Sequence, residues 1–450
     1  MAAELRISRT SVTNAYEQLL SEGYLETFVG SGTCVARTIP DEAFDPEGAG
    51  ERAGSEQVVA KSDHRTVSAR ASALLPPGPE PWLHHPAAFR VAMPALDEFP
   101  INIWSKLVAR HSRAQSRGMM AYGDTMGYLP FRKAIAEYLN TFRGVRCDAS
   151  QILVTTGSQQ GLQITAQVLL DPGNRVFVED PGYPGARLAF LSSGAELLPA
   201  PLDDDGMIEP GNMRRRRPVH VAYVTPSHQY PLGMTMSAAR RMSLLNWART
   251  TESWVIEDDY DSEYRFDSRP IASLQGLDTH GRVIYIGTFS KVLFPALRLG
   301  NVVVPKDLVR IFAAVRDAAD IFSSTLYQLV LTDFISEGHF APYIRRLRML
   351  YMDRRKTLVN AIRREMGDFL EVIGAEAGMH LVGLLPPGIN DMKISEEAAL
   401  NGISAMPLSA CCLIPPTRGG LVLGYAGPNV RQINDGVRKL AIILNRHRRS

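Results

Sequence analysis

Six short apolar runs stand out along the middle of the chain: 152–155, 176–179, 221–224, 254–257, 283–286 and 301–304. Each is rich in Val, Ile or aromatic residues and is bounded by Gly, Pro, Ser, Asp or Asn, the pattern of strands buried on both faces. Stretches of helical spacing lie between them, notably from Gly157 to about Leu170 and over 237–251. Alternation of strand and helix predicts a mostly parallel sheet covered on both sides. Ligands in such sheets collect beyond the C-terminal strand ends.

The first forty residues follow another pattern. Residues 1–5 read as the end of a short helix, and Arg6-Ile7 as a turn. Ser8 can cap a second helix over 9–21, with Val12, Tyr16, Leu19 and Leu20 marking its apolar face and Gly23 ending it. Residues 24–27 and 33–36 read as two strands joined by a glycine-rich turn. This is the order of a winged helix-turn-helix. Ser8, Arg9, Thr10 and Thr13 place small polar and basic groups where phosphates and base edges would be met. Gly30, Ser31 and Gly32 at the hairpin tip permit a close approach to a groove or backbone. From about residue 37 to 75 the periodicity lapses into Gly, Pro, Ala, Ser and Glu, the composition of a flexible tether, and Pro76-Pro77-Gly78-Pro79 stiffens its end. The expected organisation is a head over 1–37, a linker over 38–80 and a body over 81–450. Within the body a large domain runs from about 120 to 335 and a smaller α+β domain from about 336 to 450.

Composition narrows the class without naming a partner. The chain has 450 residues, 45% hydrophobic and 21% charged, as a globular protein does. A net charge of +2 selects no partner. The four cysteines (Cys34, Cys147, Cys411, Cys412) have neither metal-ligand nor disulfide-framework spacing, so no metal is expected. There is no signal segment and no run of 18 apolar residues, so the expected compartment is the cytoplasm, away from any membrane. Arg214–Arg217 reads as a loop run, and the arginines over 345–355 as a face turned mostly to solvent or to a partner subunit.

The strand ends share one chemistry. Lys291 follows the strand at 283–286, where a desolvated amine can form a Schiff base with an aldehyde. Asp258 and Tyr260 follow the strand at 254–257, Pro181-Gly182-Tyr183 another, and Gly157-Ser158 opens a helix whose free N–H groups suit a phosphate. A carboxylate can hold a pyridinium proton, a phenol can bond a phenolate oxygen, and a second tyrosine can stack on the ring. Ser158, Ser290 and Arg298 can take a phosphate. Together these parts describe a pyridoxal 5'-phosphate (PLP) site.

Two resemblances follow from the wording. Ile7-Ser8-Arg9-Thr10-Ser11-Val12, Ala15-Tyr16-Glu17-Gln18-Leu19, Glu22-Gly23-Tyr24-Leu25 and Gly30-Ser31-Gly32-Thr33 resemble the second half of a GntR-type DNA-binding domain. That family's first helix and most of its second would precede residue 1. The head as written is then partial, and the native start is expected upstream. Residues 120–440 resemble a fold type I aminotransferase through Tyr122-Gly123-Asp124, Thr156-Gly157-Ser158-Gln159-Gln160, Pro181-Gly182-Tyr183-Pro184, Pro226-Ser227-His228-Gln229, Glu257-Asp258-Asp259-Tyr260 and Thr288-Phe289-Ser290-Lys291. The Pro-Ser-His-Gln wording, Gly338-His339-Phe340, Ile344-Arg345-Arg346 and the fused head resemble the MocR/GabR regulators.

The resemblance implies PLP bound as an imine to Lys291, with Asp258 pairing the pyridine nitrogen, Tyr260 at the ring oxygen and Tyr183 stacked on the ring. It implies a phosphate held by Gly157, Ser158, Gln159, Ser290 and Arg298, with Tyr122 reaching across a homodimer interface. His228 or Gln229 stands where many aminotransferases place an asparagine near the ring oxygen. The arginine that aminotransferases of this fold use for a substrate carboxylate is missing from residues 421–426, and Arg418 nearby reads as a loop cation. The implied function is transcriptional regulation: operator half-sites on double-stranded DNA, and a small amine, an amino acid or PLP itself sensed at Lys291. The alternative is a working aminotransferase with a vestigial head, so enzymatic turnover stays open.

Overall fold

The computed structural model describes residues 2, 8–28, 32–36, 67–75, 78, 80–84, 87–113, 120–209, 218–266 and 272–448. Gly30 and Ser31 of the hairpin tip, residues 38–66 of the tether and Arg214–Arg217 lie outside them. The chain divides into two compact units, Met1–Val67 and Ser68–Ser450.

In the first unit, helix α1 (Arg9–Ser21) begins where the cap was expected: the Ser8 hydroxyl accepts from the Ser11 N–H at 3.0 Å. Val12, Tyr16 and Leu20 are half-buried while Leu19 is exposed, so the apolar face is narrower than its sequence pattern. Strands β1 (Leu25–Phe28) and β2 (Gly32–Val35) form an antiparallel hairpin, pairing Leu25 with Val35 and Phe28 with Gly32. Ser8, Arg9, Thr10, Thr13 and Gly32 are all exposed.

The second unit starts earlier than the expected body. A short helix, Ala69–Ser72, lies inside the expected linker, its first turn capped by the Ser68 hydroxyl accepting from Ala71 N–H at 3.2 Å. An Ala-rich turn with a serine cap forms helix more readily than its loop-like neighbours.

The main sheet combines β3 (Ile152–Thr155), β4 (Arg175–Glu179), β5 (Glu196–Ala200), β8 (Val219–Val224), β9 (Trp254–Asp259), β10 (Val283–Thr288) and β11 (Gly300–Val303) in the order β3-β11-β10-β9-β8-β4-β5. A two-stranded ribbon, β6 (Leu202–Asp203) and β7 (Gly206–Met207), intervenes in sequence. All neighbours from β10 through β5 are parallel, and β11 runs antiparallel between β10 and β3. Reversal of β11 has a consequence for the site. Its first residue, Gly300, pairs with Thr288 and Thr155, the last residues of two parallel strands. Arg298, two residues before it, therefore arrives at the same edge as the parallel strands' C-terminal ends. The central strands are buried along nearly their whole length, which is why they read as continuous apolar runs.

Around this sheet lie α2 (Ile101–Arg113), α3 (Leu129–Arg143), α4 (Ser158–Leu169), α5 (Pro184–Ser192), α6 (Ala238–Thr251), α7 (Val309–Asp320) and α8 (Thr325–Ser336). A smaller antiparallel sheet, β12 (Glu371–Ile373), β13 (His380–Leu384), β15 (Gly420–Gly424) and β14 (Met406–Pro407), follows the 27-residue α9 (Phe340–Met366). It is accompanied by α10 (Asp391–Leu400) and α11 (Val430–Arg448). The arginine-rich part of α9 departs from the expected outward face at Arg354. That side chain is buried, donating to the Ala426 carbonyl and pairing with Asp97 at 3.3 Å. Among the described residues no helix is long and apolar enough to cross a membrane.

Candidate functional site

The C-terminal ends of the parallel strands open into a cleft. Its lining includes Ser158, Gln159, Tyr183, Asp258, Tyr260, Ser290, Lys291 and Arg298. These expected residues come from five separate segments of the chain, so only the fold brings them together. Lys291 Nζ donates to the Ala92 carbonyl at 3.3 Å. Burial, reinforced by the positive charge of Arg298, lowers its amine to about 8, against a weaker pull from Asp261 and Asp258. A larger share of free amine at neutral pH is what an imine-forming lysine requires.

Asp258 sits at the end of β9, 4% exposed. Burial pushes its carboxyl up to about 7, opposed by the Tyr223 hydroxyl that donates to Oδ2 at 2.8 Å. Its Oδ1 is buried with no hydrogen-bond partner, and so is the hydroxyl of Ser290. Unmade hydrogen bonds at two buried polar atoms of one cleft mark a ligand's place. A ring N–H⁺ answers the first and a phosphate oxygen the second.

The rest of the cradle is backbone. Gly157 has φ +96° and precedes α4, whose first turn leaves N–H groups without helical partners. A Cβ at Gly157 would lie 3.0 Å from Arg298 Nη2, so glycine lets the guanidinium reach the helix start. Arg298 itself adopts φ +50°. Gln159 is held by its Nε2, which donates to the Gly185 carbonyl at 2.7 Å. Tyr183 stands edge-on to Tyr230, ring centroids 5.6 Å apart, and burial raises its phenol to about 12, so it is a neutral ring surface.

Three expected residues lie elsewhere. His228 does not line the cleft but stands behind Tyr260, whose hydroxyl is 2.9 Å from His228 Nδ1. Gln229 is committed to backbone and core: Nε2 meets the Tyr230 and Pro181 carbonyls at 2.6 and 2.9 Å, and Oε1 accepts from Leu232 N–H at 3.0 Å. Tyr122 is 82% exposed, edge-on to Phe322 at 6.2 Å. Arg418 braces the small sheet, donating to the Leu384 and Leu385 carbonyls and pairing with Glu371 at 2.5 Å, and does not line the cleft.

The reading of the sequence missed Tyr223, Ala92, Asp261 and His380. Strand alternation at 221–224 could have flagged Tyr223. Ala92 and His380 come from segments far from the strand-end motifs, and nothing in their spacing points to the cleft. Burial pushes the His380 imidazole down to about 3, helped by His228, so the ring is neutral. His228, Asp261 and His380 have potential metal-ligand atoms within 4.8 Å of one another. His228 Nδ1 faces Asp261 and Tyr260, and His380 Nε2 faces the Pro231 carbonyl at 3.0 Å.

Sheet, cleft and cradle define an aminotransferase-like body of fold type I, and PLP is the cofactor its unmatched polar atoms fit. A family model, "Aminotransferase class I and II", matches residues 92–434. The probable rhizopine catabolism regulatory protein MocR of Rhizobium meliloti is 39% identical over 98% of this chain and 87% of its own length. The HTH-type transcriptional regulator YdeL of Bacillus subtilis is 32% identical over 98% of this chain and 89% of its own. Kynurenine aminotransferase of Pyrococcus horikoshii, solved in complex with PMP, superposes with a TM-score of 0.76 at 27% identity, covering 87% of this chain and 97% of that one. The chain thus belongs to the aminotransferase class I and II family and, within it, to the MocR/GabR-type transcriptional regulators.

Proposed function

We propose that the body senses a small amine, an amino acid or PLP itself at Lys291, and that this sensing controls how the helix-turn-helix head engages operator half-sites. The observation that carries the reading is the pairing, on one chain, of a cleft holding Lys291 and the unpartnered Oδ1 of Asp258 with a helix-hairpin head whose polar start is exposed. PLP, when bound, supplies an aldehyde to the lysine amine and an electron-withdrawing ring.

The chain's own groups do the rest. Asp258 Oδ1 would hold the ring N–H⁺, and Tyr183 would cover a ring face. Tyr260 would meet the ring oxygen. Gly157, Ser158, Gln159, Ser290 and Arg298 would hold the phosphate. An effector amine competing with Lys291 for the cofactor would leave Nζ free to move, and a difference in affinity between two body conformations is what an effector needs in order to shift the population. Exposure of Tyr122 suits a side chain that completes the partner subunit's phosphate site, which makes the regulator a homodimer. In the head, Ser8, Arg9, Thr10, Thr13 and the glycine tip at Gly30, Ser31 and Gly32 would meet DNA.

The test is an absorbance titration of the PLP-loaded protein with candidate amines, run beside an operator shift assay, with Lys291→Ala as control. A spectral response that also changes DNA retention supports the reading, as does loss of the lysine-linked band in the control. Sustained conversion of an amino acid and a keto acid with no DNA retention would favour the aminotransferase instead.

A further inference from the structure

Behind Tyr260 lies a buried pair with no assigned role. His228 is 2% and Asp261 1% exposed. His228 Nδ1 is 3.1 and 3.2 Å from the two oxygens of Asp261 and 2.9 Å from the Tyr260 hydroxyl. One nitrogen thus faces three oxygens, from two residues. A carboxylate facing Nδ1 requires the proton to be on that nitrogen, because a lone pair there would face a second lone pair. Nδ1–H then donates to Asp261 and, shared, to the Tyr260 oxygen. Nε2 is buried with no partner, which suits a bare lone pair and not a second N–H.

The position of the phenol proton follows. Tyr260 cannot donate to a nitrogen that already carries a hydrogen, so its O–H must point elsewhere, and Tyr260 lines the cleft. Room for the pair is built in from the small-domain side. Gly378 has φ +80°, and a Cβ there would overlap the His228 ring and lie 2.6 Å from Asp261 Oδ2. Gly378 is itself fixed, its N–H donating to the Tyr264 carbonyl at 2.7 Å and its carbonyl accepting from the Tyr425 hydroxyl at 2.8 Å. A side chain at residue 378 would push the histidine off the carboxylate.

We infer that Asp261 and His228 are positioning residues that lock Tyr260 as a hydrogen-bond donor into the cleft, aimed at the ring oxygen of the bound cofactor. The inference rests on the PLP reading of the cleft. It also explains why neither His228 nor Gln229 takes the place of a ring-contacting asparagine: His228 acts through the phenol.

The experiment is a pH titration of the absorbance of the PLP-loaded protein, comparing wild type, Tyr260→Phe, His228→Asn, Asp261→Asn and the double variant Tyr260→Phe/His228→Asn. Loss of a donor leaves more negative charge on the ring oxygen, which holds the proton of the lysine-linked nitrogen more tightly. The midpoint in Tyr260→Phe should rise by about one pH unit, the scale of a charge-assisted hydrogen bond. His228→Asn should raise it in the same direction. Asp261→Asn removes a charge that raises the Lys291 amine as well as the hold on Nδ1, so its shift is read against the same change made in Tyr260→Phe, where only the charge effect remains, and should lie above it. The double variant should add nothing to Tyr260→Phe alone. Arg298, Asp258 and Arg90, the other charges acting on Lys291, are unchanged in every variant. A folded His228→Asn protein with the wild-type midpoint, an Asp261→Asn shift that is the same with and without the Tyr260 hydroxyl, or additive effects in the double variant would overturn the inference. A band that survives in Lys291→Ala would instead overturn the PLP reading itself.

Discussion

Three carboxyl groups in the second unit are held near neutrality by burial: Asp258, Glu179 and Glu257, each raised to about 7. Glu179 is tempered by the Thr225 hydroxyl and N–H, at 2.6 and 3.2 Å, and Glu257 by the N–H groups of Leu274 and Gln275, both at 2.9 Å. Asp258 differs in having a fully buried oxygen without a partner. A carboxyl whose folded-state value exceeds its unfolded value of about 4 binds more protons in the native state across that interval. Its contribution is full below pH about 4 and is lost as pH rises through about 7. The cofactor-free protein should therefore lose thermal stability between pH 5 and 8, at a cost on the order of 1 to a few kcal/mol per group. Loading PLP gives the Asp258 carboxylate a cationic partner and should remove its share of that slope. Asp258→Asn should flatten the cofactor-free slope and weaken PLP binding. Melting curves across pH, with and without PLP, check both. An unchanged slope in Asp258→Asn would mean that this carboxyl is already ionised in the empty cleft.

At the scale of elements, the phosphate cradle depends on how β3 gives way to α4. Gly157→Ala introduces a Cβ at φ +96° and 3.0 Å from Arg298 Nη2, combining backbone strain with a displaced guanidinium. PLP affinity should fall about tenfold or more, roughly 1.4 kcal/mol, with little change in circular dichroism. Fluorescence titration with PLP reads it. The strand ends that build this cradle were legible because buried parallel strands read as unbroken apolar runs; six of the seven sheet strands show that signal. The seventh, β5, holds Pro199 and a half-buried pattern, the composition of an edge strand, and gives no such run. Lys291, Asp258 and Tyr183 could be found because each lies at or just past the end of a strand. His228 could be placed near the ring oxygen but not behind Tyr260, since that depends on Asp261 and on Gly378, 150 residues later in the chain (378 − 228 = 150). Ala92 was invisible for the same reason: a loop carbonyl carries no sequence pattern.

For the whole molecule, the exposed Tyr122 makes the decisive prediction. Tyr122 is 82% exposed on this subunit and packs edge-on to Phe322, while the proposed phosphate cradle at Gly157, Ser290 and Arg298 comes together without it. If Tyr122 completes the partner's cradle, each site of the dimer joins Lys291 of one chain to Tyr122 of the other. Lys291→Ala removes the lysine-linked absorbance, and Tyr122→Ala should weaken PLP binding about tenfold, the scale of one hydrogen bond to a charged group. Mixing the two variants under conditions that exchange subunits then discriminates. Half of the dimers formed at random are mixed, and each holds one site with both residues intact, so about a quarter of all sites should regain tight binding. At a PLP concentration that leaves either variant alone nearly unlabelled, the mixture should show the band at about a quarter of the wild-type amplitude. Were Tyr122 to serve its own subunit, every Lys291-bearing site would still lack it, and mixing would restore nothing. Recovery after mixing would place the site across two chains, so that an effector bound there would act on a dimer carrying two DNA-binding heads.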